Sequence, residues 1–421
     1  MVLLDEVCMK RLILVVLLVT VLPLFPAQAP RPVDAQGSKL VLAYFYGWFN
    51  SGQWSSPELV DRPAEPYDSA NGDVMARQIS QAKSAGIDGF VMSWFGPDEP
   101  YTTGVFSGLL GQAAAQGFMA GVDIDMGQDF MSTPESAQNA VSFAVNQLAS
   151  NPAYLRYNGK PVIFFWKQQR FTVQQWADIR AAVDPNHTTL WIAEGAALEY
   201  VGVFDGLNLY NIAWSGSPGG TNATWSNRTQ KAGGYFVATA MPGFDESRRG
   251  LDREPVVRAR GDGYYFRLSF QGAVNSNPHM IIITSWNEFF ENSHIEPSAN
   301  YGTFYLDLAR DLISSYKATG SVPTAPAAPE GYDLGHSGAP KPPTSPTGVL
   351  AAPTASTLNV RQAPSTDAAQ VAQVGYPNNY PLLGKTADGS WWLIDFGGGQ
   401  GWISAAYARY EGNIGSVPVA Q

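Results

Sequence analysis

The chain has 421 residues, 45% of them apolar and 15% charged, a balance that excludes a disordered polymer and allows one large core with a smaller unit beside it. Its formal net charge of −10, from 26 basic and 36 acidic side chains, excludes a surface built to track a polyanion, so no nucleic-acid partner is expected. The 12 Trp, 19 Tyr and 21 Phe supply flat apolar faces that suit a large core or the C–H side of a sugar ring.

Near the N-terminus, Lys10-Arg11, the apolar run Leu12 to Phe25 and Ala27-Gln28-Ala29 carry the charge, hydrophobic segment and small-residue site of a secretory signal. Residues 1–29 are therefore expected to be a leader cut after Ala29, with Ala35 as the alternative site, and the protein is expected to be secreted or associated with the cell surface. The single cysteine, Cys8, precedes the apolar run, so the exported protein is expected to hold no disulfide.

From residue 38 to 318, short β-rich runs alternate with helical stretches, which is the pattern of a parallel sheet covered by helices. Eight runs recur: Leu40 to Trp48, Gly89 to Phe95, Ala120 to Ile124, Val162 to Trp166, Leu190 to Ala193, Gly206 to Tyr210, Tyr235 to Ala240 and Met280 to Trp286. Helices are predicted between them, among others over Gly72 to Ala85, Ser107 to Gln116, Ser136 to Ser150 and Val173 to Val183. The fold class expected is α/β, a (β/α)8 TIM barrel, with a doubly wound open sheet as the alternative. In such a barrel the residues just after each strand are the candidates for chemistry.

Residues 319–356 turn rich in Pro, Ala, Ser and Thr without a hydrophobic period, which predicts a linker. A flexible linker transmits little structure, so the barrel is expected to work without the C-terminal part of the chain. Residues 357–413 then read as a small all-β barrel. The opening Leu358-Asn359-Val360-Arg361, the strand Ser390-Trp391-Trp392 and the closing Gly401-Trp402-Ile403 resemble a bacterial SH3 domain. That resemblance implies a module that tethers the protein to a cell-wall or other surface ligand.

The last barrel run leads into Thr284-Ser285-Trp286-Asn287-Glu288-Phe289-Phe290-Glu291-Asn292-Ser293-His294-Ile295-Glu296-Pro297, a dense polar array after an apolar strand. Glu288 and Glu291 are three apart, and a helical turn here would project both carboxyls from one face into the barrel mouth. Two neighbouring carboxyls cannot ionise independently, so one can serve as an acid while the other serves as a base, the division of labour that glycosidic cleavage needs.

Thr284 to Glu296 resembles the last-strand pattern of glycoside hydrolase family 99, the endo-α-mannosidase family. So do Ala43-Tyr44-Phe45-Tyr46-Gly47-Trp48, Glu65-Pro66-Tyr67-Asp68-Ser69, Ser93-Trp94 and Met241-Pro242-Gly243-Phe244-Asp245, in family order. Gly47, Phe290 and Asn292 depart from it, where Pro, a more polar residue and Gly are more usual. The resemblance implies a retaining, endo-acting enzyme on α-linked glycans. In it Glu291 is the general acid/base, and Glu288 deprotonates the sugar's own 2-hydroxyl so that this oxygen attacks the anomeric carbon. Carboxyl spacing alone leaves a direct Glu288 nucleophile equally open.

Around the pair, Tyr46, Trp48, Tyr67, Trp94, Tyr210, Trp286, Asn287, His294 and Glu296 are expected to hold the oligosaccharide or polysaccharide substrate. Asp123 and Asp125 near the third strand suggest one inward carboxylate. His187, His279, His294 and His336 are scattered and no dinucleotide or phosphate-loop glycine pattern occurs, so neither a metal nor a cofactor is expected. Two other readings stay open: an α-1,3-glucanase-like or other polysaccharide hydrolase on the same barrel, and a non-catalytic surface glycan-binding protein.

Overall fold

A computed structural model describes residues 39–334, 345–354, 357–375, 379–396, 399–411 and 414–420; the expected leader lies outside these. Eight parallel strands form the centre: β1 Val41–Phe45, β2 Gly89–Trp94, β3 Met119–Asp125, β4 Lys160–Trp166, β5 Leu190–Glu194, β6 Gly206–Asn208, β7 Tyr235–Ala240 and β8 Met280–Ile283. Each pairs with its sequence neighbour, β8 pairs with β1, and β3 pairs with β4 through Asp123 opposite Phe164, so the sheet closes into a TIM barrel. A doubly wound sheet would have left two open edges.

The pleat sorts the side chains. Leu42 and Tyr44 on β1, Val162 and Phe164 on β4, and Met280 and Ile282 on β8 pack inside the barrel, while Val41, Ala43, Phe45, Ile281 and Ile283 join the core beneath the helices. Both faces of these strands are therefore apolar, which is why the runs read as continuous rather than alternating.

The outer ring comprises α1 Gly72–Ser84, α2 Pro100–Gln116, α3 Pro134–Asn146, α4 Val173–Val183, α5 Pro218–Lys231, α6 Tyr264–Asn275 and α7 Phe304–Thr319. Local chemistry starts them: Asn71 caps α1, and Thr133 and Thr172 form capping boxes with Ser136 and Gln175. The second helix begins two turns before its predicted start. Pro100 sits in its first turn and the Glu99 carboxylate accepts from the Tyr101 and Thr102 N–H groups, while Gly104, Gly108 and Gly111 weaken the sequence signal. Between β5 and β6 only a 3-10 turn, Leu198–Tyr200, takes the place of a helix.

Beyond α7, the described residues form seven strands of a second unit: β9 Leu350–Pro353, β10 Leu358–Arg361, β11 Gln370–Val374, β12 Tyr380–Lys385, β13 Trp391–Asp395, β14 Gln400–Ser404 and β15 Ala408–Glu411. They form one antiparallel sheet around Val349, Val360, Leu382, Ile394 and Ile403. Its first strand, β9, pairs with β12 and β15 and falls inside the stretch expected to be linker.

The α5–α6 contact allows close backbone approach: a Cβ added at Gly272 would lie 2.4 Å from the Cα of Gly219. Gly272→Ala is therefore expected to force the helices apart and cost about 1–3 kcal/mol, read as a lower midpoint of thermal unfolding. Gly111→Ala, with nothing within 4 Å of the added methyl, should instead be neutral or stabilise by up to about 1 kcal/mol.

Candidate active site

The segment after β8 is a closed series of turns rather than the helical turn the spacing suggested. The Ser285 N–H donates to Ser293 O (2.8 Å), the Ser293 N–H to Glu288 O (3.2 Å), and the Glu288 N–H to Ser285 Oγ (2.8 Å). Asn292 takes a left-handed backbone with φ 46°, a conformation Asn tolerates better than most residues, which accounts for Asn where the family pattern carries Gly.

Asn287 docks this turn onto the segment that follows β1. Its Oδ1 accepts the Tyr46 N–H (2.8 Å), and its Nδ2 donates to Tyr46 O (2.9 Å) and to the Tyr67 hydroxyl (3.0 Å). Tyr67 donates to Glu296 Oε2 (2.9 Å) and Gln78 Nε2 to Glu296 Oε1 (2.7 Å). Asn287, Tyr67 and Glu296 are all buried, and their polar atoms are spent on one another.

Glu288 and Glu291 face the mouth. Burial, then the neighbouring Glu291 charge, pushes the Glu288 carboxyl well above its ordinary range. Burial raises Glu291 to about 7, against the Tyr210 hydroxyl, which donates to its Oε2 (2.6 Å), and Arg249, whose Nη1 lies 3.7 Å from its Oε1. Tyr46 donates to the Tyr210 hydroxyl (2.6 Å), so a relay Tyr46–Tyr210–Glu291 crosses the mouth. Trp48, half-buried, tilts against Tyr46 with ring centres 4.7 Å apart and stacks on Phe95.

Three of the other expected substrate contacts belong to the packing. Trp94 is fully buried, donates from its indole to Thr103 Oγ1 (2.9 Å) and stacks on Phe143 of α3. Trp286 is fully buried beside Phe90 in the outer core. His294 is enclosed between the Phe289 ring and Asp61, 3.1 Å from its carboxylate, and burial and then Arg260 lower it to about 4. Trp94 ends β2 on the outward side of the pleat, and an indole is large enough to be claimed by the helical layer.

The structure also brings further residues to the mouth. Asp123 and Asp125, two apart, both lie on the inward face, since Val122 and Ile124 occupy the outer core. Asp123 is held well above its ordinary range by burial, then by Asp125 and Glu194. Glu194 closes β5, its carboxyl raised to about 7 by burial, and Trp166 closes β4, edge-on to Tyr210 at 4.7 Å. Sequence reasoning passed over Glu194 and Trp166, although both follow the strand-end rule and were legible by it. Arg249 lies in the long loop between β7 and α6, where no pattern singles it out. Among the described residues, no group of three His, Cys, Asp or Glu side chains could hold a metal ion.

A mouth lined by enclosed carboxyls, tyrosines and two half-buried indoles suits a sugar. The model of glycosyl hydrolase family 99 matches residues 63–318, and that of the bacterial SH3 domain matches residues 356–408. The chain belongs to glycosyl hydrolase family 99. The family 99 match begins after β1 and after the segment following it that supplies Tyr46 and Trp48.

Among similar proteins, the glycoprotein endo-alpha-1,2-mannosidase-like protein of Mus musculus is 24% identical over 289 residues, 60% of this chain and 61% of that protein. The glycoprotein endo-alpha-1,2-mannosidase of Mus musculus is 22% identical over 300 residues, 64% of each. The chain thus spans under two thirds of the length of these relatives. A solved GH99 endo-alpha-mannosidase from Bacteroides thetaiotaomicron superposes with a TM-score of 0.60 at 21% identity, covering 67% of this chain and 98% of that one, and shows the same fold.

Enclosing Glu194 sets a pH dependence. Its folded-state pKa of about 7 stands above the 4.5 of an ordinary glutamate, so its contribution to stability is full below about 4.5 and is lost as pH rises through about 7. Glu194→Gln removes that loss, and unfolding measured above pH 7 should show the variant more stable than the parent by up to roughly 3 kcal/mol. The advantage should vanish near pH 4.

Proposed function

We propose that the protein is an exported, retaining, endo-acting glycoside hydrolase that cleaves α-mannoside-type glycans with Glu288 and Glu291. The observation that carries the reading is the enclosed carboxyl pair after the last barrel strand, one member raised to about 7 and the other well above its ordinary range. Two such groups keep a proton between them near neutral pH.

Glu291 donates its proton to the leaving oxygen while Glu288 takes the proton of the sugar's 2-hydroxyl. That oxygen attacks the anomeric carbon as the glycosidic bond breaks, closing a three-membered ring. Water, deprotonated by Glu291, then opens the ring at the anomeric carbon, and Glu288 returns its proton to the 2-oxygen. Two displacements retain configuration.

Tyr210 and Arg249 favour charge on Glu291, and the deeper Glu288 holds the shared proton. A bound sugar reverses this, because the leaving oxygen is an acceptor for a proton on Glu291 and the 2-hydroxyl is a donor that favours charge on Glu288. Trp48 offers its face to a ring, and Tyr46 and Tyr210 offer hydroxyls. The leader-like N-terminus supports export, and the bacterial SH3 match at residues 356–408 supports tethering to a cell-wall or similar surface.

Glu291→Gln keeps the shape but not the proton, and kcat on unactivated glycan should fall about 10²–10⁴-fold, while the first step on substrates with very good leaving groups is spared. Activity within tenfold of the parent would remove Glu291 from the reaction. Parent kcat should fall at the alkaline pH that strips the one proton the pair shares, since Glu291 then has none to give the leaving oxygen.

A substrate with hydrogen in place of the 2-hydroxyl should bind and stay intact; a covalent adduct on Glu288 in intact-mass spectra would instead make Glu288 the nucleophile. A panel of α-mannans, α-1,3-glucans and other glycans assayed for new reducing ends decides the sugar. Release from α-mannans alone supports the reading, and binding without release would leave a glycan-binding protein.

A further inference from the structure

The polypeptide leaving α7 returns along the barrel. Val322, Tyr332 and Leu334 pack against the outer core, and the Ala325 N–H donates to Gln271 Oε1 of α6 (3.1 Å). The far end closes on the loop between β7 and α6. Arg258, only 2% exposed, donates from Nη1 to Asp333 O (3.0 Å), from Nη2 to Leu334 O (3.0 Å) and from Nε to Ala213 O (3.0 Å). The Tyr332 hydroxyl donates to Ala259 O (2.6 Å), and its ring covers Gly261, where a Cβ would lie 2.7 Å from a ring carbon.

The same loop reaches Glu291. Arg258 pairs with Phe244 in a short antiparallel ribbon, and the next residue, Asp245, donates its N–H to Glu291 O (2.7 Å). Glu246 accepts from the Val256 N–H (2.9 Å) and from Arg253 Nη2 (2.9 Å), and its carbonyl accepts the Arg249 N–H (3.0 Å). Arg260 donates from Nη2 to the carbonyls of Asn292 (3.0 Å) and His294 (2.9 Å). Hydrogen bonds and the intervening backbone therefore link Tyr332 to the backbone of Glu291, and Arg249 reaches the Glu291 carboxylate as an ion pair at 3.7 Å.

We propose that residues 322–334 are a strap that, through Tyr332 and Arg258, positions the loop of residues 244–260 and holds Arg249 against Glu291. The chain beyond the last barrel helix is then a working part of the site, not a passive linker. Tyr332 is a positioning residue, since it touches neither Glu291 nor Arg249 directly. The inference rests on the reading of Glu291 as the acid/base and adds what holds it in place.

Arg249 opposes the upward push on Glu291, so releasing the loop should let that carboxyl keep its proton to higher pH. In the full chain, Tyr332→Ala should lower kcat about tenfold with little change in KM, and move the alkaline limb of the kcat profile up by about half a unit. Tyr332→Phe, which keeps the ring over Gly261, should recover most of kcat. Hydrogen exchange should quicken across 244–260 in Tyr332→Ala but not in Tyr332→Phe. Tyr332→Leu offers the same comparison should the alanine variant fold poorly.

Unchanged kcat and an unmoved alkaline limb in Tyr332→Ala would overturn the strap, whether or not exchange quickens. The reading of Glu291 is tested apart from it: turnover that survives Glu291→Gln in the parent would remove that reading and the strap's purpose together.

Discussion

The site depends on one side-chain amide. Asn287 satisfies both backbone groups of Tyr46 and also reaches the Tyr67 hydroxyl, so a single residue stitches the segment after β8 to the segment after β1 at the seam where the barrel closes. Without such a partner, the Tyr46 N–H and C=O would be buried and unpaired, at a cost of about 1–3 kcal/mol for each group. The stitch fixes where the next residue, Glu288, enters the mouth. Asn287, which the sequence offered as a substrate contact, has its amide committed to this stitch instead.

Enclosed acid groups are the second constraint. Glu288, Glu291, Asp123, Glu194 and Glu296 are all pushed upward, burial being the largest cause in every case. Their surroundings then divide them. Glu296 is held by Tyr67 and Gln78 and braces the wall. Glu291 accepts from the Tyr210 hydroxyl and faces Arg249. The same chemistry at nearby positions thus differs in how many partners the oxygens already have: Glu296 has a donor on each oxygen, whereas Glu291 has one on Oε2 and an arginine 3.7 Å from Oε1.

Arg249 comes from a loop with little secondary structure of its own. Loops of this kind carry function in barrel enzymes but need an external hold. Here the hold comes from both sides: Arg260 grips the Glu291–His294 turn, and the Pro-rich segment after α7 grips Arg258 and Ala259. A stretch whose composition reads as flexible is fixed by two side chains, because Arg258 finds the carbonyls it needs only there and in the loop after β6.

Sequence alone determined the alternation of eight apolar strand-length runs with helix-length segments, leaving a closed barrel or an open doubly wound sheet for the strand pairing to decide, and it placed the carboxyl pair at a strand end through the strand-end rule. It also determined the β module, through the spacing of Leu358, Trp391 and Trp402 among turn residues. Tertiary structure decided which way each side chain faces at a strand end. Trp94 and Trp286 went to the helical layer and Asp123, Trp166 and Glu194 to the mouth, because a shift of one residue along a pleat reverses the face. It also decided that Arg249 meets Glu291 and that residues 322–334 meet Arg258, contacts between segments far apart in the chain that no local periodicity encodes. The chain spells out its elements by local pattern, whereas the partners of buried polar groups are fixed only when the closed barrel brings distant segments within hydrogen-bonding reach.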